Sequence, residues 1–244
     1  MTASQDPATL YPDIAAEGSL GEVLQAVADR DGLPVSFTVS ETAPLRAASV
    51  ASAAPRRTTL AISAWAVERR WSIRGCESFQ DMALVEGDTD ELDQIVRAAH
   101  AWHNGDELTA IREVAPFVHL TGRFEVADHD PGRLTESEWQ HLLTEAGEVD
   151  WSEYRALIEA AYAEPALRRL YPFTSHWVLR FSTSTRPRLT VVRLCLAAHR
   201  QRPFTVSTNM TGEGLTEATT ATEAVSIAAS RLPTDLGPVT LGAG

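Results

Sequence analysis

The chain has 244 residues, of which 44% are hydrophobic and 22% charged, an ordinary globular balance that fits one large domain or two small ones. Its net charge of −12 argues against a general affinity for nucleic acid or for an anionic membrane, because both need basic patches that displace counterions. All 21 basic residues are arginine, and the absence of lysine excludes a lysine Schiff base to pyridoxal phosphate or a carbonyl substrate, and a Walker-type phosphate loop.

Residues 1–18 are small and polar and read as a loosely held arm. Leu20, Val23, Leu24 and Val27 share one helical face behind Ser19 as cap. Residues 35–39 read as a short strand, and 42–56 as a low-complexity connection. Leu60, Ile62 and Ala64 then alternate with Ala61, Ser63 and Trp65, and Trp71 and Ile73 alternate in a return strand after the turn at Glu68, Arg69 and Arg70. Residues 83–85 add a third strand. Asp88 and Glu91 resemble a capping box ahead of Leu92, Ile95, Val96 and Ala99, whose helical spacing runs to a stop at Gly105. A shorter helix is expected over 106–115 and a strand within 117–126.

The run DHDPGR at 128–133 reads as a loop. Thr135 with Glu138 caps a helix bearing Trp139, Leu142 and Leu143, and Asp150 caps another bearing Tyr154, Leu157, Ile158 and Ala161. Pro165 interrupts it, with one more helical turn over 166–170. Residues 176–182, 189–198 and 204–208 read as three antiparallel strands, followed by a helix over 216–231 and an irregular tail. Strands clustered in runs, not alternating with helices, predict an α+β fold of antiparallel meanders with packed helices. A single globular domain over 19–233 is expected between the arm and a tail at 234–244. The stretches 57–103 and 176–232 share a strand–strand–strand–helix order, which suggests two similar halves.

The densest chemistry lies between Glu164 and Ser182. Tyr171-Pro172-Phe173 ends a helical region, because the residue before proline leaves the helical basin. In the strand that follows, Trp177, Leu179 and Phe181 share one face, and His176, Val178, Arg180 and Ser182 the other. A histidine and an arginine two steps apart on one face suit proton transfer and anion binding, so His176 and Arg180 are candidate catalytic residues. Arg168, Trp177 and Tyr171 are candidate substrate contacts, and Arg169 approaches from the helix side. The competing reading is a helix–strand corner held by aromatic packing and a surface ion pair.

Cys195 shares a strand face with Arg193, but it reads first as a buried small hydrophobe, as does Cys76. His100 and His103 share a helical face without a third ligand motif, so no metal is expected. Gly212 and Gly214 precede a helix but lack the third glycine of a dinucleotide fingerprint, and Glu213 repels phosphate. No GxSxG elbow is present, and Glu136, Glu138, Glu145, Glu148 and Glu153 read as a solvated helical face. No cofactor is predicted.

Two cysteines without a secretory signal suggest a reducing, cytoplasmic compartment, and no apolar stretch is long enough to span a bilayer. The segment AYAEPALRRLYPFTSHWVLRFS at 161–182 resembles the signature of an actinomycete family of unknown function whose members are labelled natural product biosynthesis proteins. The likeness extends more weakly to YPDIAAEGSL, AHAWHNG and VAPFV, and the arginine- and alanine-rich composition is that of a high-GC genome such as an actinomycete's. The resemblance implies an accessory or tailoring protein acting on a small molecule or peptide and carries no catalytic residues with it. The alternative is a non-catalytic binding module for a peptide or protein partner. Neither nucleic acid nor membrane is an expected partner, and the oligomeric state is not encoded in any motif.

Overall fold

The computed structural model describes residues 6–242 and has an α+β fold built on antiparallel sheets. The chain divides into two compact units, residues 1–121 and 122–244, each around its own hydrophobic core. The sequence suggests one body over 19–233. Hydrophobic spacing marks which residues are buried, but not which core they enter.

The first unit opens with three helices, α1 (Pro7–Leu10), α2 (Pro12–Glu17) and α3 (Leu20–Asp31). The first two occupy the expected loose arm. Tyr11 and Ile14 are fully buried there. The Tyr11 hydroxyl lies 2.9 to 3.0 Å from the carbonyls of Trp65, Glu68 and Arg70, and the Arg70 amide donates to it. Arg69 lies over the Tyr11 and Trp71 rings and pairs with Asp13 at 2.7 Å. An apolar ring with one polar tip has thus tied the segment to a strand turn.

Six antiparallel strands follow in sequence order: β1 (Thr38–Val39), β2 (Ala47–Val50), β3 (Leu60–Ala64), β4 (Trp71–Cys76), β5 (Ala83–Thr89) and, beyond two helices, β6 (His119–Leu120). Those helices are α4 (Leu92–Asn104) and α5 (Leu108–Val114). β3 alternates buried and exposed residues, as its spacing predicts for a sheet with one face on the core. Helix α4 buries Ile95, Val96, Ala99 and Trp102 and ends at Gly105 in the left-handed region (φ 76°). A Cβ on Gly75 would stand 2.6 Å from the Trp102 ring, so only glycine lets this indole lie against β4. Within 117–126 only His119–Leu120 is strand.

The second unit begins with α6 (Pro131–Glu148), five residues earlier than the Thr135 cap predicts. Asp130 accepts the Arg133 amide at 2.8 Å and Pro131 takes the first helical position, so DHDPGR is a helix start and not simply a loop. Next come α7 (Ser152–Ala163) and α8 (Pro165–Arg168), then the strands β7 (Tyr171–Ser175), β8 (Val178–Ser182), β9 (Ser184–Pro187), β10 (Val191–Ala197), β11 (Phe204–Ser207) and β12 (Thr216–Ala218). Helix α9 (Ala221–Ser230) and strand β13 (Thr240–Gly242) complete the unit. The main sheet runs β7-β8-β10-β11-β12, all antiparallel, while β9 pairs with β13 in parallel. The expected helix over 216–231 is therefore strand and then helix, divided at Thr220, whose hydroxyl caps α9. The expected irregular tail contributes β13.

Each unit carries a helix, a five-strand meander and a second helix that packs on the first: α3, β1–β5, α4, and α7, β7–β8–β10–β11–β12, α9. This order is broader than the strand–helix likeness of 57–103 and 176–232.

Candidate functional site

Tyr171 through Ser182 form one hairpin, in register from Tyr171 opposite Ser182 to Ser175 opposite Val178. Its aromatic and hydroxyl residues favour strand, and Pro172 is tolerated because β7 is a sheet edge. His176 and Trp177 make the two-residue turn, with φ of 52° and 65°. Positive φ at both positions matches the strand twist of a tight hairpin. The sequence places these two residues inside a strand. The turn is hidden in the sequence because no glycine or asparagine interrupts the apolar alternation there.

The five predicted site residues separate. His176 stands exposed at the turn, its Nδ1 3.3 Å from the Ser175 hydroxyl. Trp177 is 44% exposed and meets Tyr154 edge-on at 5.3 Å. Arg180 lies mid-strand over the Phe173 ring, opposite Cys195, which in turn faces Ser207. Tyr171 is fully buried. Burial, with Glu138 nearby, pushes its phenol far above its usual pKa. Arg168 alone of the five lines a large cleft.

That cleft encloses about 790 Å³ between the start of α6, helix α8 and residues 236–239. Prolines and Leu236 give it apolar walls, and Asp130, Glu136, Arg168 and Arg169 give it charge. Glu136 accepts the Tyr162 hydroxyl at 2.6 Å, the Gln140 amide at 2.8 Å and Arg168 Nη2 at 3.1 Å. Arg168 also stacks on the Tyr162 ring, 4.3 Å from its centroid. Partial burial works against the Glu136 charge, but these three donors outweigh it and hold the carboxyl below its ordinary pKa. The bond to Glu136 pushes the Tyr162 phenol the other way, above its ordinary value. The Arg169 guanidinium is exposed and has no partner among the described residues.

The expected solvated glutamate face is largely engaged. Glu138 is only 4% exposed and grips Arg123 through bonds of 2.7 and 3.0 Å, while Glu145 accepts the Tyr154 hydroxyl at 2.9 Å. Glu138 stands four residues from both Leu134 and Leu142, a spacing that puts it on the buried stripe. Glu136 and Tyr162 have no such local signal, since they meet only when α6 and α7 pack together.

A smaller cavity, about 170 Å³, lies on the open sheet face beside Cys195, His199 and Ser207. Burial raises the Cys195 thiol above its usual pKa against the pull of Arg180, which makes it inert at neutral pH. Among the described residues no group of three or more histidine, cysteine, aspartate or glutamate side chains is placed to hold a metal. His103 Nδ1 instead meets the Ala51 carbonyl at 2.9 Å, and His100 lies beside Asn104. No described helix is long and apolar enough to cross a membrane.

Residues 133–243 match the family of unknown function DUF6193. The DUF6193 match spans most of the second unit, and the five predicted site residues and both arginines of the cleft fall inside it. Residues 1–132, including the whole first unit, lie outside it. No curated protein and no solved structure matches the chain.

Proposed function

We propose that this protein is a binding module of natural product biosynthesis, holding a carboxylate-bearing small molecule or peptide in the cleft beside α8. The biosynthetic setting rests on the resemblance of residues 161–182 and on nothing in the geometry. The binding reading rests on one observation: of the charged side chains lining the cleft, Asp130 caps α6 and Glu136 and Arg168 hold each other, while Arg169 has no partner among the described residues. Glu136 is held ionised and Tyr162 protonated, so neither is poised for proton transfer near neutral pH. What remains is an apolar trough with one free guanidinium, suited to an anion with an apolar body. The alternative of a tailoring enzyme needs His176 and Arg180 to act together. His176 stands exposed in the turn, Arg180 lies mid-strand over the Phe173 ring, and neither lines the cleft.

The test is calorimetric titration with N-acetylphenylalanine and with its uncharged amide. The carboxylate is expected to bind and the amide to bind at least tenfold more weakly, since a hydrogen bond to a charged group is worth roughly 1.5–3 kcal/mol. Arg169→Ala should erase that preference. Equal binding of acid and amide, or an unchanged preference in Arg169→Ala, removes the reading.

A further inference from the structure

The walls of the cleft beside α8 differ in firmness. Two are helical, the start of α6 and α8, but residues 236–239 form an irregular segment between α9 and β13. Residues 233–235 ahead of it are exposed, and Leu232 and Leu236 are only partly buried against the core. Beyond it the chain is held by β13, which is three residues long and pairs with β9 apart from the main sheet. The Thr240 amide donates to the Thr183 carbonyl at 3.0 Å, and the Gly242 amide to the Thr185 hydroxyl at 3.2 Å. A two-stranded pair is marginally stable by itself in water, and a segment with few buried apolar groups opens at lower free energy than a core strand.

The pair closes on one tight point. Gly242 is buried, and a Cβ there would stand 1.8 Å from the Thr185 carbonyl oxygen and 2.6 Å from that of Arg188. Thr185 is itself fully buried, so its carbonyl has little room to yield. Only glycine lets β13 seat at this depth, and the seat lies just beyond the wall that it secures.

We propose that residues 232–242 form a movable strap that closes on the cleft's ligand, with Gly242 against β9 as its latch, so that ligand binding and the seating of β13 stabilise each other. This regulation rests on the reading of the cleft as a site for an apolar carboxylate. An apolar body lying between α8 and Leu236 touches the strap only while β13 is seated. Its contacts therefore favour the seated state, and by linkage the seated state binds it more tightly. Unlatching withdraws one wall of the cleft and opens a way out for the ligand.

The test follows the full chain by calorimetry with N-acetylphenylalanine and by amide exchange at Thr240 and Gly242. Without ligand these two amides should exchange faster than those of Cys195 and Leu196 in β10, because the strap opens without unfolding the unit. Ligand at roughly ten times its dissociation constant should slow them about tenfold. Gly242→Val and a chain ending at Val239 both remove the latch without touching the cleft's lining. Each should weaken binding at least about fivefold while β8 and β10 keep their protection. If the acid binds no better than its amide, or Arg169→Ala keeps the preference, the cleft reading fails and the strap fails with it. If that preference holds but the ligand leaves exchange at Thr240 and Gly242 unchanged, or both latch variants bind as tightly as the intact chain, the strap alone is overturned. Exchange of the two amides as slow as that of β10 in the free protein overturns it as well.

Discussion

Replacing Arg123 with methionine is expected to be among the most damaging single changes in the second unit. Arg123 and Glu138 are 9% and 5% exposed at their side chains and form a two-pronged ion pair with bonds of 2.7 and 3.0 Å. Methionine fills similar volume but leaves a carboxylate in the interior facing the Tyr171 phenol, whose ionisation Glu138 already opposes. Stranding one member of a buried pair costs about 3–5 kcal/mol, comparable with the ~5–15 kcal/mol that stabilises a whole domain. Substituting both residues, Arg123→Met with Glu138→Leu, removes the stranded charge along with the attraction, and should recover most of that loss. The assay is urea unfolding of the full chain with amide hydrogen exchange to separate the two units. Exchange should accelerate in α6 and β7 while β3 and β4 keep their protection. A single-variant cost below about 1 kcal/mol, or a double variant as unstable as the sum of the singles, would show that the pair behaves like a surface one.

Three further outcomes follow from other contacts. Tyr11→Phe should cost roughly 1–3 kcal/mol, the penalty for removing a buried hydrogen-bonding partner, and should raise exchange at the Arg70 amide, which donates to that hydroxyl; unchanged protection there refutes the clamp. Glu136→Gln should destabilise the protein at neutral pH. Because the folded pKa lies below the ordinary glutamate value of 4.5, that difference is full above this value and fades as pH falls through the folded pKa; a difference independent of pH between 7 and 2 contradicts it. His176→Asn should stabilise the hairpin by about 0.5–1 kcal/mol, since asparagine tolerates the left-handed region better than most residues, and a lower melting temperature would count against the turn geometry.

The sequence reveals what local periodicity can reveal. β3, β4, α4 and α7 fall where the alternation of Leu60–Ala64 and the spacing of Ile95–Ala99 and Tyr154–Ala161 put them. Two kinds of feature escape it. The first is a turn without turn residues: His176-Trp177 looks like more strand because tertiary contacts with Trp151 and Tyr154, and not glycine, secure the bend. The second is a polar residue whose partner is remote in sequence. Glu136 finds Tyr162 26 residues away and Arg168 32 away, and each meeting depends on how helices pack. Pairing rules for i and i+4 are silent at that range. Arg168 and Arg169 were visible beside the hairpin; the engagement of Glu136 by Arg168 was not.

The helix–meander–helix plan bears on how the chain acquires its structure. In each unit's main sheet the meander joins strands that follow one another along the chain, with β9 a short detour in the second, so most pairing involves short loops and little closure entropy. The helices that flank each meander then meet, α3 on α4 and α7 on α9, closing over the sheet only when the second of the pair has been made. During synthesis the first unit can therefore complete itself once residue 121 has emerged, before the segment that matches DUF6193 is complete. Ribosome-stalled chains long enough to bring residue 121 out of the exit tunnel should already resist proteolysis over residues 6–121, and chains ending within α4 should not.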